Sequence, residues 1–305
     1  MAIITKMSLK GKVVVVTGSS KGIGFEIAKE FSEKKKAHVV VCSRSLERSV
    51  MAASKINGST LALELDVTSD SSINKFIDCI MKKYNRIDIL VNNSGYPFDK
   101  SIWDKKLHEG TTEELLKILD VDLVGAVRLS RAVIPVMLKH DNNESGQSII
   151  TNRNKLETIG LDYEEGEAEQ SSDIAIAIAD QKVYDRPRNG GVIITISSTP
   201  ALSGRRGGFP YTIAKAGNIS LTKCIAKEYG DQNIRAYSLA LGNIATKATY
   251  EAITEAVRTE AAQEAPMKRW GNPLEVAKVA TCIADDNFSY ATGNTIVVDG
   301  GTVIL

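Results

Sequence analysis

The feature that most constrains this chain is a glycine-rich turn between an apolar run and an amphipathic segment. Val13–Val16 is followed by Thr17, Gly18, Ser19, Ser20, Lys21, Gly22, Ile23 and Gly24, and helical periodicity then extends over residues 23–35. Glycines let a backbone approach a pyrophosphate closely, and a helix start offers free amides and a positive dipole end. A glycine triplet alone is weak evidence, but a strand before it and a helix after it strengthen it. We therefore expect a phosphate cradle, the alternative being an ordinary tight turn.

Further apolar runs alternate with helical segments along the chain, at residues 38–42, 60–65, 87–91, 192–196, 234–239 and 295–298. Most are apolar on both faces, as parallel strands covered by helices on both sides must be. The alternation predicts an α/β, doubly wound (Rossmann) fold with a parallel sheet of seven strands. With 43% hydrophobic residues, residues 1–305 suffice for a single large domain.

Residues 141–189 interrupt this alternation, because they are polar and rich in Asp, Glu, Asn and Ser. Residues 173–184 alternate isoleucine with alanine, which fits a short strand or a helix. The segment joins a helix to the start of the fifth strand, whereas ligands bind at the carboxyl ends of parallel strands. We expect an insertion before the fifth strand, away from the ligand site, that is either disordered or in contact with a partner.

Composition argues against several other functions. The net charge is +1, from 38 basic and 37 acidic residues, so no overall field attracts nucleic acid or an anionic membrane. The four cysteines are far apart, without metal-ligand spacing, and predict no metal site. Neither a signal-peptide core nor an apolar run of about 18 residues is present, which predicts a cytoplasmic protein.

Two cations favour a phosphorylated dinucleotide. The second strand ends near Ser43, where a protein that binds an unphosphorylated ribose would carry an acid, and Arg44 follows. Lys21 lies at a helix amino end, which disfavours a cation unless an anion binds there. We expect Lys21 and Arg44 to hold the 2′-phosphate of NADP(H), although both also fit solvated surface cations. Asp66 either accepts a hydrogen bond from adenine or caps a helix.

Tyr211 and Lys215 are spaced to share one face of a helix. A phenol is a poor base at neutral pH, and a neighbouring ammonium favours the phenolate, so the two make a usable acid/base pair. Ser198 ends a strand 13 residues earlier, where its hydroxyl can stabilise a substrate oxygen. A nucleophilic serine is the alternative, but the chain has no G-x-S-x-G turn and its three histidines lie outside any catalytic motif.

Together with residues 92–95 and 298–301, these features resemble the short-chain dehydrogenase/reductase family over about residues 9–140 and 191–303. The resemblance is nearest to 3-oxoacyl-(acyl-carrier-protein) reductases. It implies that Tyr211 is the proton donor, Lys215 holds the nicotinamide ribose and Ser198 orients the carbonyl. It also implies a homodimer or homotetramer formed through helices at residues 112–139 and 210–229. The cofactor residues that it and the turn suggest are Gly18, Ser20, Lys21, Gly22, Ile23, Gly24, Ser43, Arg44, Asp66, Val67, Asn93, Gly95, Tyr211, Lys215, Gly242, Ile244 and Thr246.

The resemblance implies interconversion of a ketone and a secondary alcohol, with 3-oxoacyl thioesters ahead of sugars or small alcohols as substrates. Asp122 departs from the family, which usually has an asparagine that holds a water in a proton relay; an aspartate accepts from that water but donates no amide proton. It joins the catalytic candidates, and it also motivates a second hypothesis, a nucleotide-binding regulator that has lost turnover. Tyr237 and Leu241 also differ from the usual residues and suggest a shifted nicotinamide loop. Arg205 and Arg206 either meet an anionic group of the substrate or are solvated, and residues 246–269 suggest a mobile helical cover.

Overall fold

The computed structural model describes residues 9–139, 190–251 and 253–304. Seven parallel strands form one sheet in the order β3-β2-β1-β4-β5-β6-β7, which confirms the doubly wound fold. The order reverses between β1 and β4, so a crevice for ligands opens there at the carboxyl ends of the strands. The strands are β1 Val13–Val16, β2 His38–Ser43, β3 Thr60–Glu64, β4 Ile89–Asn92, β5 Gly191–Ser198, β6 Ile234–Leu241 and β7 Asn294–Val298.

Helices cover both faces of the sheet. They are α1 Gly22–Lys29, α2 Leu46–Ala53, α3 Asp70–Tyr84, α4 Lys100–Trp103, α5 Thr112–Leu119, α6 Gly125–Leu138, α7 Pro200–Ser203, α8 Phe209–Tyr229, α9 Lys247–Tyr250, α10 Glu255–Glu264 and α11 Pro273–Ala284. The helix expected over residues 112–139 is α5 and α6 joined by one π-helical turn, Asp120–Val124. Within the described ranges, none of these helices is long and apolar enough to cross a lipid bilayer.

The alternation of side chains along the strands produces two apolar layers. In β1, Val14 and Val16 face a layer built with α1, α2 and α11, whereas Val13 and Val15 face a layer built with α3, α6 and α8. All four valines are at most 1% exposed. A buried valine contributes about 1.5–3 kcal/mol relative to an exposed one, so this run anchors the strand that carries the glycine-rich turn.

The predicted insertion at residues 141–189, with its strand or helix at 173–184, lies outside the described residues. The chain on either side of it is described, and the amide of Gly190 donates to the carbonyl of Met137 at 3.2 Å. The two flanks therefore meet beside the amino end of β5. The ligand crevice lies at the opposite edge of the sheet.

Candidate active site

The turn between β1 and α1 needs its glycines for two different reasons. Gly18 and Gly22 have φ angles of +63° and +60°, which side chains other than glycine rarely adopt. At Gly24 a Cβ would overlap the side-chain amide of Asn93 and lie 2.8 Å from the carbonyl oxygen of Gly18. The turn is therefore closed by backbone packing, and an open backbone surface is left at Gly22, where a Cβ would meet nothing nearer than 3.9 Å.

Three polar side chains brace this turn from inside. The Thr17 hydroxyl accepts from the backbone amides of Asn93 and Ser94 at 2.9 and 2.8 Å, and the side-chain Nδ2 of Asn93 donates to the Thr17 carbonyl at 2.8 Å. The hydroxyl of Ser19 donates to Val16 at 2.6 Å and accepts from the amide of Cys42 at 2.9 Å. Asn93, expected on the adenosine side, thus holds the cradle in shape, and its contact with adenosine stays a prediction.

The amino end of α1 is suited to an anion. Its N-cap residue is Lys21, whose side chain makes no capping hydrogen bond, whereas Ser45 and Ser69 cap α2 and α3 with their hydroxyls. The first-turn amides of α1 are left without a side-chain acceptor, and such amides need a partner. The cradle therefore fits the pyrophosphate of a dinucleotide.

A cavity of about 280 Å³ adjoins this cradle. Three cations line it, Lys21, Arg48 and Lys55, together with Ser20, Phe25, Met51 and Ala52. Arg44 is exposed at the end of β2 and is not among the lining residues. Sequence reasoning missed Arg48, which lies on α2, and Lys55, which lies two residues after α2 ends. The cavity has the charge of a phosphate site.

Of the two roles predicted for Asp66, the helix cap is wrong. Ser69, not Asp66, is the N-cap of α3, while one oxygen of Asp66 accepts from the Thr68 amide and hydroxyl at 2.9 and 2.7 Å. These bonds, with a smaller contribution from Arg44, lower the pKa of Asp66. The carboxylate closes a turn at the crevice edge, and its bond to adenine stays a prediction. Its neighbour Val67 packs against Gly125, where a Cβ would lie 2.7 Å from the valine side chain.

The residues expected around the nicotinamide lie after β6. Gly242 allows close packing, because a Cβ there would lie 2.5 Å from that of Asp299. Ile244 is buried and pairs with Gly271. Thr246 caps α9 and lies 3.9 Å from the place a Cβ of Gly22 would occupy. This loop therefore faces the cradle across the crevice.

The catalytic candidates gather at the carboxyl end of β5. Tyr211 and Lys215 lie on α8, with the Lys215 ammonium 5.5 Å from the centroid of the tyrosine ring. The Ser197 hydroxyl donates to the Lys215 carbonyl at 2.8 Å, which fastens α8 to the strand end. Ser198 donates its hydroxyl to the Leu241 carbonyl at 3.1 Å. Tyr211 and Lys215 thus lie on the expected helix, and all three candidates lie at the carboxyl ends of the strands, where the ligand crevice opens.

Asp122 makes a direct ion pair with Lys215. Its carboxylate lies 3.3 Å from the ammonium, the two side chains are 1% and 6% exposed, and its second oxygen accepts from the Tyr96 amide. The ammonium also donates to the Ile196 carbonyl at 3.2 Å. Burial, the largest single influence, lowers the pKa of Lys215, but Asp122 and Tyr211 together outweigh it and the net pKa is raised. The π-helical turn between α5 and α6 carries Asp122, and such turns recur at functional sites.

An aromatic wall that sequence reasoning missed covers Tyr211. The Trp103 ring lies 4.8 Å from the Tyr211 ring, and Phe98 meets Trp103 edge-on at 5.3 Å. The guanidinium of Arg205 lies over Trp103, 4.1 Å from its ring centroid. Trp103 follows a segment without strand or helix motif, so only its residue type was a signal.

The expected influence of Tyr237 on the nicotinamide loop is not what the structure shows. Tyr237 is fully buried four residues before the end of β6, and its hydroxyl donates to the carbonyls of Phe288 and Ala291. At about 3.3 Å per residue, this is roughly 13 Å from Leu241. Tyr237 therefore anchors the segment that leads into β7.

Comparisons with known proteins agree with this geometry. Residues 12–152 match the family described as short chain dehydrogenase, and residues 174–303 match the one described as enoyl-(acyl carrier protein) reductase. The 3-oxoacyl-[acyl-carrier-protein] reductase of Thermotoga maritima is 29% identical to this chain, and the match covers 98% of this chain and 100% of the length of the reductase. The L-sorbose reductase of Gluconobacter frateurii, solved with NADPH and L-sorbose, has a TM-score of 0.76 at 24% identity, covering 98% of this chain and 99% of its own. A 7α-hydroxysteroid dehydrogenase solved with NADH and 7-oxo glycochenodeoxycholic acid has a TM-score of 0.75 at 25% identity. The match covers 99% of this chain and 98% of the dehydrogenase chain.

Proposed function

Since the chain belongs to the short-chain dehydrogenase/reductase family, we propose that it is an NADPH-dependent reductase that interconverts a ketone and a secondary alcohol. The observation that carries this proposal is the placement of Tyr211 and Lys215 on one face of α8, at the carboxyl ends of the strands. Across the crevice lies the start of α1, which has no side-chain cap and is lined by glycines. A nicotinamide cofactor, when bound, supplies the hydride. The chain's own residues supply the proton, hold the carbonyl oxygen and keep a positive charge beside Tyr211.

Each catalytic side chain has a distinct role in this proposal. Tyr211 donates a proton to the carbonyl oxygen as negative charge develops there, and Ser198 holds that oxygen by turning its hydroxyl from the Leu241 carbonyl to the substrate. Lys215, fixed by Asp122 and the Ile196 carbonyl, keeps a positive charge beside the tyrosine. Trp103 excludes water from one side of the phenol.

The preference for NADPH over NADH rests on charge. Lys21, Arg48 and Lys55 line the cavity beside the cradle, Arg44 is exposed at the end of β2, and the described residues that line the cavity include no acid. Arginine and lysine side chains bind a phosphate by charge-assisted hydrogen bonds. We extend the predicted clamp of Lys21 and Arg44 to these two further cations.

For the substrate, 3-oxoacyl thioesters come first, supported by the nearly full-length match to a 3-oxoacyl-[acyl-carrier-protein] reductase. Sugars or small alcohols are the alternative within the family, supported by a match to a glucose 1-dehydrogenase that is 28% identical over 97% of this chain. A regulator without turnover is the alternative from another class. It is motivated by Asp122, since an ion pair occupies the place of the family's water-holding asparagine.

An NADPH-oxidation assay with acetoacetyl thioesters, ketoses and simple ketones separates these functions. We expect turnover that Tyr211→Phe abolishes, because the variant lacks the donated proton, while its NADPH affinity stays within about twofold of wild type. Tyr229→Phe, at the far end of the same helix, is the matched control and should keep full activity. Tight NADPH binding by wild type without turnover of any carbonyl would establish the regulator instead.

We further propose a cytoplasmic homodimer or homotetramer. Leu116 and Val124 in the α5 and α6 region and Ile213 on α8 are exposed apolar side chains on the two helices through which family members are expected to pair. Light scattering of the purified chain gives the molecular mass, and a monomer would contradict the proposal. Leu116→Glu should shift the mass towards the monomer because it places a charge in the contact.

A further inference from the structure

Arg205 occupies an unusual place for a loop arginine. Its guanidinium carbon is 4.1 Å from the Trp103 ring centroid, and that ring is 4.8 Å from the Tyr211 ring. Laid end to end, these distances place the charge within about 9 Å of the tyrosine ring. A positive charge therefore stands at the edge of the pocket in which the carbonyl would react.

The loop that carries Arg205 is shaped to hold it there. Gly207 and Gly208 have φ angles of +71° and +62°, and a Cβ on Gly207 would lie 2.7 Å from the Trp103 carbonyl oxygen. A Cβ on Gly208 would lie 3.5 Å from the Trp103 ring and 3.7 Å from the Arg205 guanidinium. The glycines let the loop press against Trp103, which fixes the arginine relative to Tyr211.

The charge of Arg205 is not neutralised by a neighbour. In the part of the chain that the structure describes, no carboxylate lies within ion-pair distance of it, and the ionisable groups that act on it are Tyr211 and Asp104. Its Nε makes only a long bond, 3.5 Å, to the carbonyl of Arg206. An arginine stacked on an aromatic ring keeps its in-plane N–H groups free for a carboxylate or phosphate.

We propose that Arg205 binds an oxyanion, a carboxylate or a phosphate, that the carbonyl substrate carries. This inference rests on the proposed function, because it takes Tyr211 as the reacting end of the pocket. Phe98 and Trp103 form the apolar wall that the intervening part of the substrate follows. The substrate class is accordingly an anionic ketone with an apolar stretch, and Arg205 sets specificity without entering the chemical step.

Two matched substrate pairs test the proposal and distinguish the sources of the anion. One pair is levulinate and its methyl ester; the other is the acetoacetyl thioester of phosphopantetheine and that of N-acetylcysteamine. Arg205→Ala should lower kcat/KM by about 10- to 100-fold for the charged substrate of at least one pair, because one charge-assisted hydrogen bond is lost. The kcat/KM of the neutral substrate in the same pair should stay unchanged. Arg205→Lys should fall between, because it keeps the charge and loses the planar fork. Lys100→Ala, which removes an exposed cation on α4, is the control and should change neither.

The outcomes distinguish failure of the anion-binding role of Arg205 from failure of the proposed reductase function. An effect confined to the levulinate pair assigns a carboxylate, and one confined to the thioester pair assigns a phosphate. Equal losses for charged and neutral members would show that Arg205 only holds the loop, and would overturn the inference while the proposed function stands. Wild type that turns over no carbonyl would overturn both.

Discussion

Replacing Asp122 by asparagine removes one charge from a buried ion pair and almost no volume. At 3.3 Å and an effective dielectric constant of about 20, the attraction between Asp122 and Lys215 is about 5 kcal/mol. Breaking buried pairs by removing one partner costs about 3–5 kcal/mol, because the other charge is left without compensation. Lys215 keeps the Ile196 carbonyl, so we expect the lower end: a loss of about 3 kcal/mol of unfolding free energy at pH 7.

This loss of stability depends on pH, because removing Asp122 changes the pKa of Lys215. In wild type the folded-state pKa of Lys215 is raised above 10.5, so its stabilising contribution is complete below about pH 10.5 and is lost as the pH rises through the raised value. Without Asp122, burial lowers the pKa of the lysine, which then sheds its proton at lower pH and no longer carries an unpaired charge. The stability difference between wild type and Asp122→Asn should therefore shrink from pH 7 to pH 10.

Urea denaturation without cofactor, followed by circular dichroism, measures both quantities. The control is Asp120→Asn, two residues away, whose carboxylate pairs with Arg128 at 2.7 Å but is 44% exposed. An exposed pair of this kind contributes under about 1 kcal/mol. Equal losses for the two variants at pH 7, or a difference that does not shrink towards pH 10, would refute the account of the buried pair.

Three other predictions follow from the structure. Arg44→Asp and Arg48→Ala should each weaken the binding of NADPH at least tenfold more than the binding of NADH, as measured by fluorescence titration. Equal effects on the binding of both cofactors would contradict the preference for NADPH. Cys42 is fully buried and burial raises its pKa to about 12, so native protein treated with iodoacetamide at pH 8 should keep Cys42 unlabelled in peptide mass spectra while urea exposes it; native labelling would contradict this burial. Replacing residues 141–189 by a short Gly-Ser linker should leave kcat/KM unchanged within about twofold, because the flanks meet at the edge of the sheet opposite the crevice; a loss of activity would place the insertion in the function.

The fold, and the positions of the main candidate residues along it, were predictable because each depended on local sequence. Val13–Val16, the glycines after it and the spacing of Tyr211 and Lys215 each predict a local structure without knowledge of the rest of the chain. The partners of Asp122 and the cover of Tyr211 were not predictable in this way. Asp122 and Lys215 are 93 residues apart in the sequence, and Trp103 and Arg205 are 102 residues apart.

Side-chain direction was the other limit. Arg44 follows the glycines at the spacing expected of a phosphate ligand, yet the cavity is lined by Arg48 from the next helix and by Lys55 from the turn after it. Asn93 follows a predicted strand and Tyr237 lies within one, but their polar groups bond to the cradle and to the segment before β7. A strand assignment gives the position of a residue along the sheet and leaves its hydrogen-bond partner open.

The hydrogen bond between Gly190 and Met137 holds the two flanks of the insertion together at the amino end of β5, so the strands keep their positions whatever length of chain joins the flanks. Closure entropy grows only with the logarithm of loop length, so exchanging about fifty residues for about five alters stability by roughly 2 kcal/mol. Evolution can therefore lengthen, shorten or replace this segment without re-optimising the catalytic edge. For the same reason the point is a natural attachment site at which an engineer can graft a reporter or a second binding domain onto a working oxidoreductase.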